Sequence, residues 1–128
     1  MIEVAAAVIE QDGRYLITQR GQESHLAGLW EFPGGKRKSG ESLEECLMRE
    51  IKEELDLQVE VGDKLDQEIY AYEEREVMLH FFRCRIIAGT PRPQQGQAYC
   101  WVTPSEFSNY QFPPADARLL RLLSGHSL

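Results

Sequence analysis

A chain of 128 residues is the size of one domain and is long enough to bury a core without covalent staples. Apolar residues make up 42% and charged residues 27%, the balance of a soluble globular protein. Twenty-one acidic residues against 14 basic ones leave a net charge of −7, which argues against a nucleic-acid polymer as partner, and against a phosphate-rich ligand unless a metal intervenes. Cys46, Cys84 and Cys100 are odd in number, widely spaced and free of any C-x-x-C pair, so reduced thiols in a cytoplasmic protein are expected. Met1-Ile2-Glu3-Val4 lacks the basic start of a signal peptide, and the longest apolar run, Val4 to Ile9, is too short to span a membrane.

In chain order, residues 2–9 and 14–19 are apolar and rich in Val and Ile, and Asp12-Gly13 between them signals a turn; a hairpin or two adjacent strands is expected. Residues 20–40 carry five glycines, Pro33 and no helical period, which predicts a long loop of the kind that usually serves function. Residues 42–55 predict a helix: Ser42-x-x-Glu45 is a capping box, and Leu43, Leu47, Ile51 and Leu55 form a core stripe. Strands are expected at 67–73, 76–87 and 98–103, a loop at 91–96, a helical turn from Pro104, and a last helix over 115–123. Strands and helices in this order predict one α+β domain over 1–128, an α/β/α sandwich with a mixed sheet flanked by helices.

The acids on the first helix are unusually placed. With Leu47 at 0° and about 100° per residue, the apolar stripe centres at roughly +20°, Glu54 falls near −20°, Glu50 near −60° and Glu53 near −120°. Glu54 thus lies within the apolar stripe and Glu50 on its border. A carboxylate buried without a partner costs several kcal/mol, so a cation should meet these groups. Arg49 lies on the far side of the wheel, badly placed to satisfy all three. Either a hard divalent ion such as Mg²⁺ or Mn²⁺ sits there, or the face is simply solvated.

Residues Gly35 to Leu57 read G-KRKSG-E-SLEECLM-RE-I-K-EE-L-D-L. This run resembles the Nudix box, Gly-x5-Glu-x7-Arg-Glu-aliphatic-x-Glu-Glu-x-Gly-aliphatic. Gly35, Glu41, Arg49, Glu50, Ile51, Glu53, Glu54 and Leu57 match in spacing; Asp56 stands where the pattern has Gly. Glycine past a helix end usually takes a left-handed conformation, which Asp tolerates better than most residues, so the departure touches helix termination rather than ligation. Gln19-Arg20, His25 and Leu29-Trp30-Glu31-Phe32-Pro33-Gly34-Gly35-Lys36 are similar to the substrate loop of the MutT-like branch, and Phe112-Pro113-Pro114-Ala115-Asp116 to its base-recognition loop.

The resemblance implies hydrolysis of a nucleoside triphosphate to monophosphate and pyrophosphate with Mg²⁺ or Mn²⁺. Its leading form is removal of 8-oxo-dGTP, which protects DNA replication and spares DNA repair. By the same resemblance Glu50, Glu53, Glu54 and the Gly35 carbonyl ligate metal, Arg49 holds the glutamates, and Glu50 or Glu53 orients or deprotonates the attacking water. Glu41 is a further ligand or a cap partner. Arg20, Lys36 and Arg75 are phosphate contacts or solvated charges; His25 and Gly34 belong to the substrate loop; Phe32, with Trp30 and Tyr72, is an aromatic for the base or for the core. Gln95 stands where relatives often carry a loop glutamate, and a neutral amide cannot accept a proton. Asp116 either reads the base or caps the last helix. Ionised, it accepts two hydrogen bonds and modestly favours a guanine edge; cytosine fits less well unless a proton is shared. Competing expectations are a pyrimidine or broad-specificity pyrophosphohydrolase, to which the early Ile-Glu-Val and late Pro-Ala-Asp are similar, and a nucleotide-binding module that does not hydrolyse. A monomer is expected.

Overall fold

The computed structural model describes residues 1–21 and 27–125, apart from the side chain of Tyr72. Seven strands form one mixed sheet. Strands β1 (Ile2–Gln11) and β2 (Arg14–Gln19) are the expected antiparallel pair, followed by β3 (Trp30–Glu31) and β4 (Gly34–Lys36). Helix α1 (Leu43–Leu55) leads to a long hairpin of β5 (Gln58–Tyr72) and β6 (Arg75–Ala88), then β7 (Tyr99–Val102). A 3-10 turn at Pro104–Asn109 and another at Pro114–Asp116 precede α2 (Ala117–Leu123). The order β3-β2-β1-β6-β5 has β1 and β6 parallel, with β4 paired to β1 and β7 to β2.

Alternation along β1 divides the core. Ala5, Ala7 and Ile9 face Leu47, Ile51 and Leu55 of α1, while Ala6 and Val8 face Phe32, Phe81, Phe107 and Leu119 on the other side. The α/β/α layering expected from the element order is therefore present. Among the described residues no helix is long and apolar enough to cross a membrane, and all three cysteines are free thiols.

The structure corrects the sequence reading in two places. The segment 20–40 contains β3 and β4 rather than continuous loop. These strands are two and three residues long, too short to show a period, and β4 is possible because Gly34 has no side chain: a Cβ there would stand 2.8 Å from the Ala6 Cα. Strand β5 begins at Gln58, nine residues before the expected start, because register shifts between Gln58 and Asp66 interrupt its alternation.

The Asp56 expectation holds. Asp56 ends α1 with φ 55° and ψ 38°, and its amide donates to the Lys52 carbonyl at 3.0 Å. Its side chain accepts from Lys52 Nζ at 2.8 Å, an exposed pair that contributes little. Asp56→Gly should therefore raise stability by about 0.5–1 kcal/mol through relief of the left-handed conformation, seen as a higher urea midpoint with an unchanged denaturant slope.

Candidate active site

Helix α1 starts where its capping box closes: Ser42 Oγ accepts from the Glu45 amide at 3.0 Å, and Glu45 Oε1 accepts from the Ser42 amide at 2.8 Å. Burial of Cys46, Leu47, Ile51 and Leu55 then fixes the roll of the helix. Glu54 and Glu50 become partly buried and Glu53 exposed, the order that the wheel predicts. At the other end, the amides of Arg92 and Gln94 donate to the carbonyls of Leu55 and Glu54 at 2.9 and 3.0 Å. The loop 91–97 is thus fastened to free carbonyls of the helix end.

Arg49 reaches further than its place on the wheel suggests, because its long stem curls back over the helix. Its Nη1 donates to Glu50 Oε1 at 2.8 Å and to Glu53 Oε2 at 3.1 Å. Nη2 and Nε donate to Glu41 Oε1 and Oε2 at 2.6 and 3.1 Å, and Nη2 also reaches the Lys36 carbonyl at 3.2 Å. Three of the four box carboxylates, Glu41, Glu50 and Glu53, are therefore held by one guanidinium. Glu41 is not the helix cap; it accepts from the Lys38 amide at 2.7 Å and anchors the arginine. The hydrogen bonds from Arg49, with that from Lys38, hold its carboxyl down at about 2.

Glu54 is left outside this network. Burial first, then the charges of Glu31 and Glu50, push its carboxyl up to about 8, against small opposing effects from the Gly34 amide and the Thr18 hydroxyl. Thr18 Oγ1 itself is buried and makes no hydrogen bond to any described residue, so its influence on Glu54 is electrostatic and not a formed bond. These acids line a cleft of about 750 Å³ together with Arg20 and the Gln94–Gln97 loop. Glu50 also packs directly on Gly35, where a Cβ would stand 2.7 Å from Oε1, and the Gly35 carbonyl accepts from the Cys46 thiol at 3.6 Å.

This donor set fits a hard divalent cation. Glu50, Glu53 and Glu54 offer carboxylate oxygens there, and the raised carboxyl of Glu54 reflects burial first and then the like charges of Glu31 and Glu50, which a cation would offset. Among the described residues no three such groups are already gathered at ligating distance. Arg49 occupies one oxygen each of Glu50 and Glu53, leaving the other free.

A second cleft of about 530 Å³ shares Arg20 and Glu31 with the first. It runs between β4 (Gly34, Gly35, Lys36) and the Pro113–Asp116 turn, over Phe32, Tyr70 and Phe81. On the border, Arg20 Nη1 donates to Glu31 Oε1 at 2.6 Å. Burial still raises the Glu31 carboxyl above the usual range, Arg20 opposing. Asp116 is 4% exposed. Burial and then Glu31 raise its carboxyl to about 7, with Arg20 acting against them. Its side chain makes no capping bond to α2, which removes the cap reading.

Gly34, Gly35, Phe32, Lys36, Arg20 and Asp116 are therefore brought together, and Gln95 lies over the acidic cleft. Phe32 is a wall residue rather than a free stacking platform: it is buried, stacked on Phe112 at 5.8 Å, and met edge-on by Phe81 and Phe107. Trp30 is likewise engaged, edge-on to Tyr110 at 5.1 Å. Arg75 is not in the site. It is exposed at the β5–β6 turn, and it lines neither cleft. His25 and the side chain of Tyr72 lie outside the described residues. The residue that sequence reasoning missed is Glu31. Its signal is an acid between Trp30 and Phe32, where strand alternation turns it away from the aromatics and opposite Thr18.

The family model for the NUDIX domain matches residues 4–122, and the chain belongs to the Nudix family. It is 41% identical over 120 residues to the CTP pyrophosphohydrolase of Escherichia coli K12, covering 94% of this chain and 89% of that protein. It is 37% identical over 129 residues to the putative 8-oxo-dGTP diphosphatase 2 of Mycobacterium tuberculosis H37Rv, covering 95% and 90%. The crystal structure of a MutT protein from Methanosarcina mazei Go1 superposes with a TM-score of 0.87 at 25% identity, covering 97% and 93%. The chain is a MutT-like Nudix pyrophosphohydrolase, a hydrolase of acid anhydrides. Nudix hydrolases generally use divalent metal cations.

The Glu41–Arg49 contact carries a pH signature. Because the folded value is about 2 against an ordinary 4.5, its stabilisation is present above pH 4.5 and is lost as pH falls toward 2. Glu41→Gln should lower stability at pH 6 and flatten the fall in unfolding free energy between pH 4.5 and 2, measured by urea titration across that range.

Proposed function

We propose that this enzyme cleaves nucleoside triphosphates to monophosphate and pyrophosphate with Mg²⁺ or Mn²⁺, as a cytoplasmic monomer that cleanses the nucleotide pool. The observation that carries the reading is the pair of clefts joined at Arg20 and Glu31. One is lined by carboxylates suited to a cation, and the other is largely apolar and ends on one buried acid. A nucleoside triphosphate has the same division, charged at one end and planar at the other.

In the acidic cleft Glu50, Glu53, Glu54 and the Gly35 carbonyl would hold the metal. When bound, a divalent cation neutralises triphosphate charge, polarises phosphorus and acidifies a water. Arg49 holds Glu50 and Glu53 in fixed orientation. One of those two glutamates orients or deprotonates the attacking water, since Gln95 is neutral and takes no proton. Arg20, Lys36 and the backbone of Gly34 are the substrate contacts between the clefts.

Asp116 reads the base. Ionised, it offers two acceptors, which suit the N1–H and 2-amino group of guanine and favour 8-oxo-dGTP hydrolysis to 8-oxo-dGMP. Protonated, it offers one donor and one acceptor, which suit N3 and the 4-amino group of cytosine. A carboxyl titrating at about 7 has both forms at working pH, which favours CTP as a second substrate. The names carried by the two relatives support this pairing.

Two measurements test the reading. Glu53→Gln should lower kcat by roughly 10²–10⁴-fold with an unchanged circular dichroism spectrum, and full retained activity would remove Glu53 from the machinery. The ratio of kcat/KM for 8-oxo-dGTP over CTP should rise with pH through about 7, because the guanine-reading form is the deprotonated one. Asp116→Asn, a fixed donor and acceptor, should abolish that slope and favour CTP; a pH-independent ratio in the parent enzyme would reject the assignment of Asp116.

A further inference from the structure

We propose that Arg118 and Asp66 form a clamp that sets the position of the base-reading turn, making both of them positioning residues for nucleobase selectivity. The proposal rests on the reading of Asp116 as the base contact. Arg118 stands two residues after Asp116, in the first turn of α2. Its Nε and Nη2 donate to Asp66 Oδ2 and Oδ1 at 3.0 and 2.7 Å, a two-pronged pair with fixed relative geometry. Nη2 also donates to the Gln67 carbonyl at 2.7 Å and lies 3.0 Å from Glu68 Oε2.

Three features make this more than a surface ion pair. Asp66 is only 11% exposed in its side chain, so the pair is shielded from water on one side. It also stands at the register shift of β5, where the irregular strand turns its side chain toward α2. Finally, the clamp ties together two elements that both line the cleft: β5 contributes Tyr70 further along the same strand, and the turn before α2 contributes Asp116. The other end of the base-reading segment is tied separately, the Trp30 amide donating to the Gln111 carbonyl at 2.8 Å. Asp116 therefore sits on a short segment held at both ends, rigid at Pro113-Pro114, and the Arg118 end sets its distance from β5.

Docking of α2 does not need this pair, because Leu119 is fully buried and Leu120 and Leu123 pack on the same core. The clamp adds direction to a helix that apolar contacts already hold. A fork of this kind tolerates little displacement, and a shift of about 1 Å in a binding group is enough to cost up to about 100-fold in rate.

The test is steady-state kinetics with Mg²⁺ on CTP, UTP, dGTP and 8-oxo-dGTP for Arg118→Lys and Asp66→Asn, with Asp116→Asn and thermal melts in parallel. The expected result is a KM for the preferred nucleotide raised about tenfold, kcat within about twofold, and a narrowed spread of kcat/KM among bases. A lower melting temperature with KM and base spread unchanged would show a purely structural pair and overturn the proposal. A fall in kcat common to all four nucleotides would overturn it equally. If Asp116→Asn changes base preference and neither clamp variant does, the clamp alone fails; if Asp116→Asn also changes nothing, the base-reading assignment fails and the clamp with it. Variants on opposite sides of the pair keep the test valid if one misfolds.

Discussion

A single guanidinium sets the acidic face of α1. Without Arg49, Glu50 and Glu53 on α1 and Glu41 just ahead of its cap would repel one another. With it, Glu50 and Glu53 each give one oxygen to a planar fork and keep the other, while Glu41 gives both. Such a fork is specific in direction as well as charge, so it converts three flexible side chains into an oriented row. Glu54 is excluded from the row and remains buried beside Glu31 and Glu50, raised to about 8. The network thus neutralises part of the acidity and concentrates the rest at one point, where a divalent cation has most to gain.

The rest of the fold serves this row. Gly35 lets β4 pass directly over Glu50, and a larger residue would displace the carboxylate. The loop 91–97 is anchored to carbonyls at the end of α1, and the part of it that lines the acidic cleft, Gln94–Gln97, carries no charge. Arg20 and Glu31 separate that cleft from the apolar one. Their ion pair is partly buried, and the low dielectric there couples it to Asp116 on one side and Glu54 on the other. The net charge of −7 is therefore compatible with a phosphate ligand. Six glutamates against one arginine and one lysine in residues 41–54 concentrate the acidity where a cation would offset it. The second acidic run, 63–76, supplies Asp66 and Glu68 for Arg118.

What the sequence made legible follows from what local chemistry encodes. The ends of α1 were readable because a capping box and a left-handed Asp56 are decided within four residues of chain. The burial order Glu54, Glu50, Glu53 was readable because helical geometry is regular. Strands β3 and β4 were not, since two or three residues carry no period and Gly34 is there for its neighbour Ala6, 28 residues away in sequence. The start of β5 was hidden by its bulges. The reach of Arg49 was misjudged because a wheel places Cβ atoms and ignores a stem long enough to cross the helix surface. Arg75 reads as a phosphate contact along the chain, but it stands at the β5–β6 turn and lines neither cleft, although Tyr70 and Ala71 of the same hairpin line the apolar one.

Gln95 then takes on a definite meaning. A carboxylate in its place would add one more negative charge to a cleft already lined by Glu31, Glu50, Glu53 and Glu54, and would raise Glu54 further. The amide avoids that repulsion and still donates and accepts hydrogen bonds. Its loop is short, bears glutamines throughout 94–97 except for Gly96, and is held by the helix end rather than by side-chain charge. Under the proposed mechanism two tasks are separated: proton transfer would stay on α1, where Arg49 fixes Glu50 and Glu53, and the loop would position water and phosphate by neutral contacts.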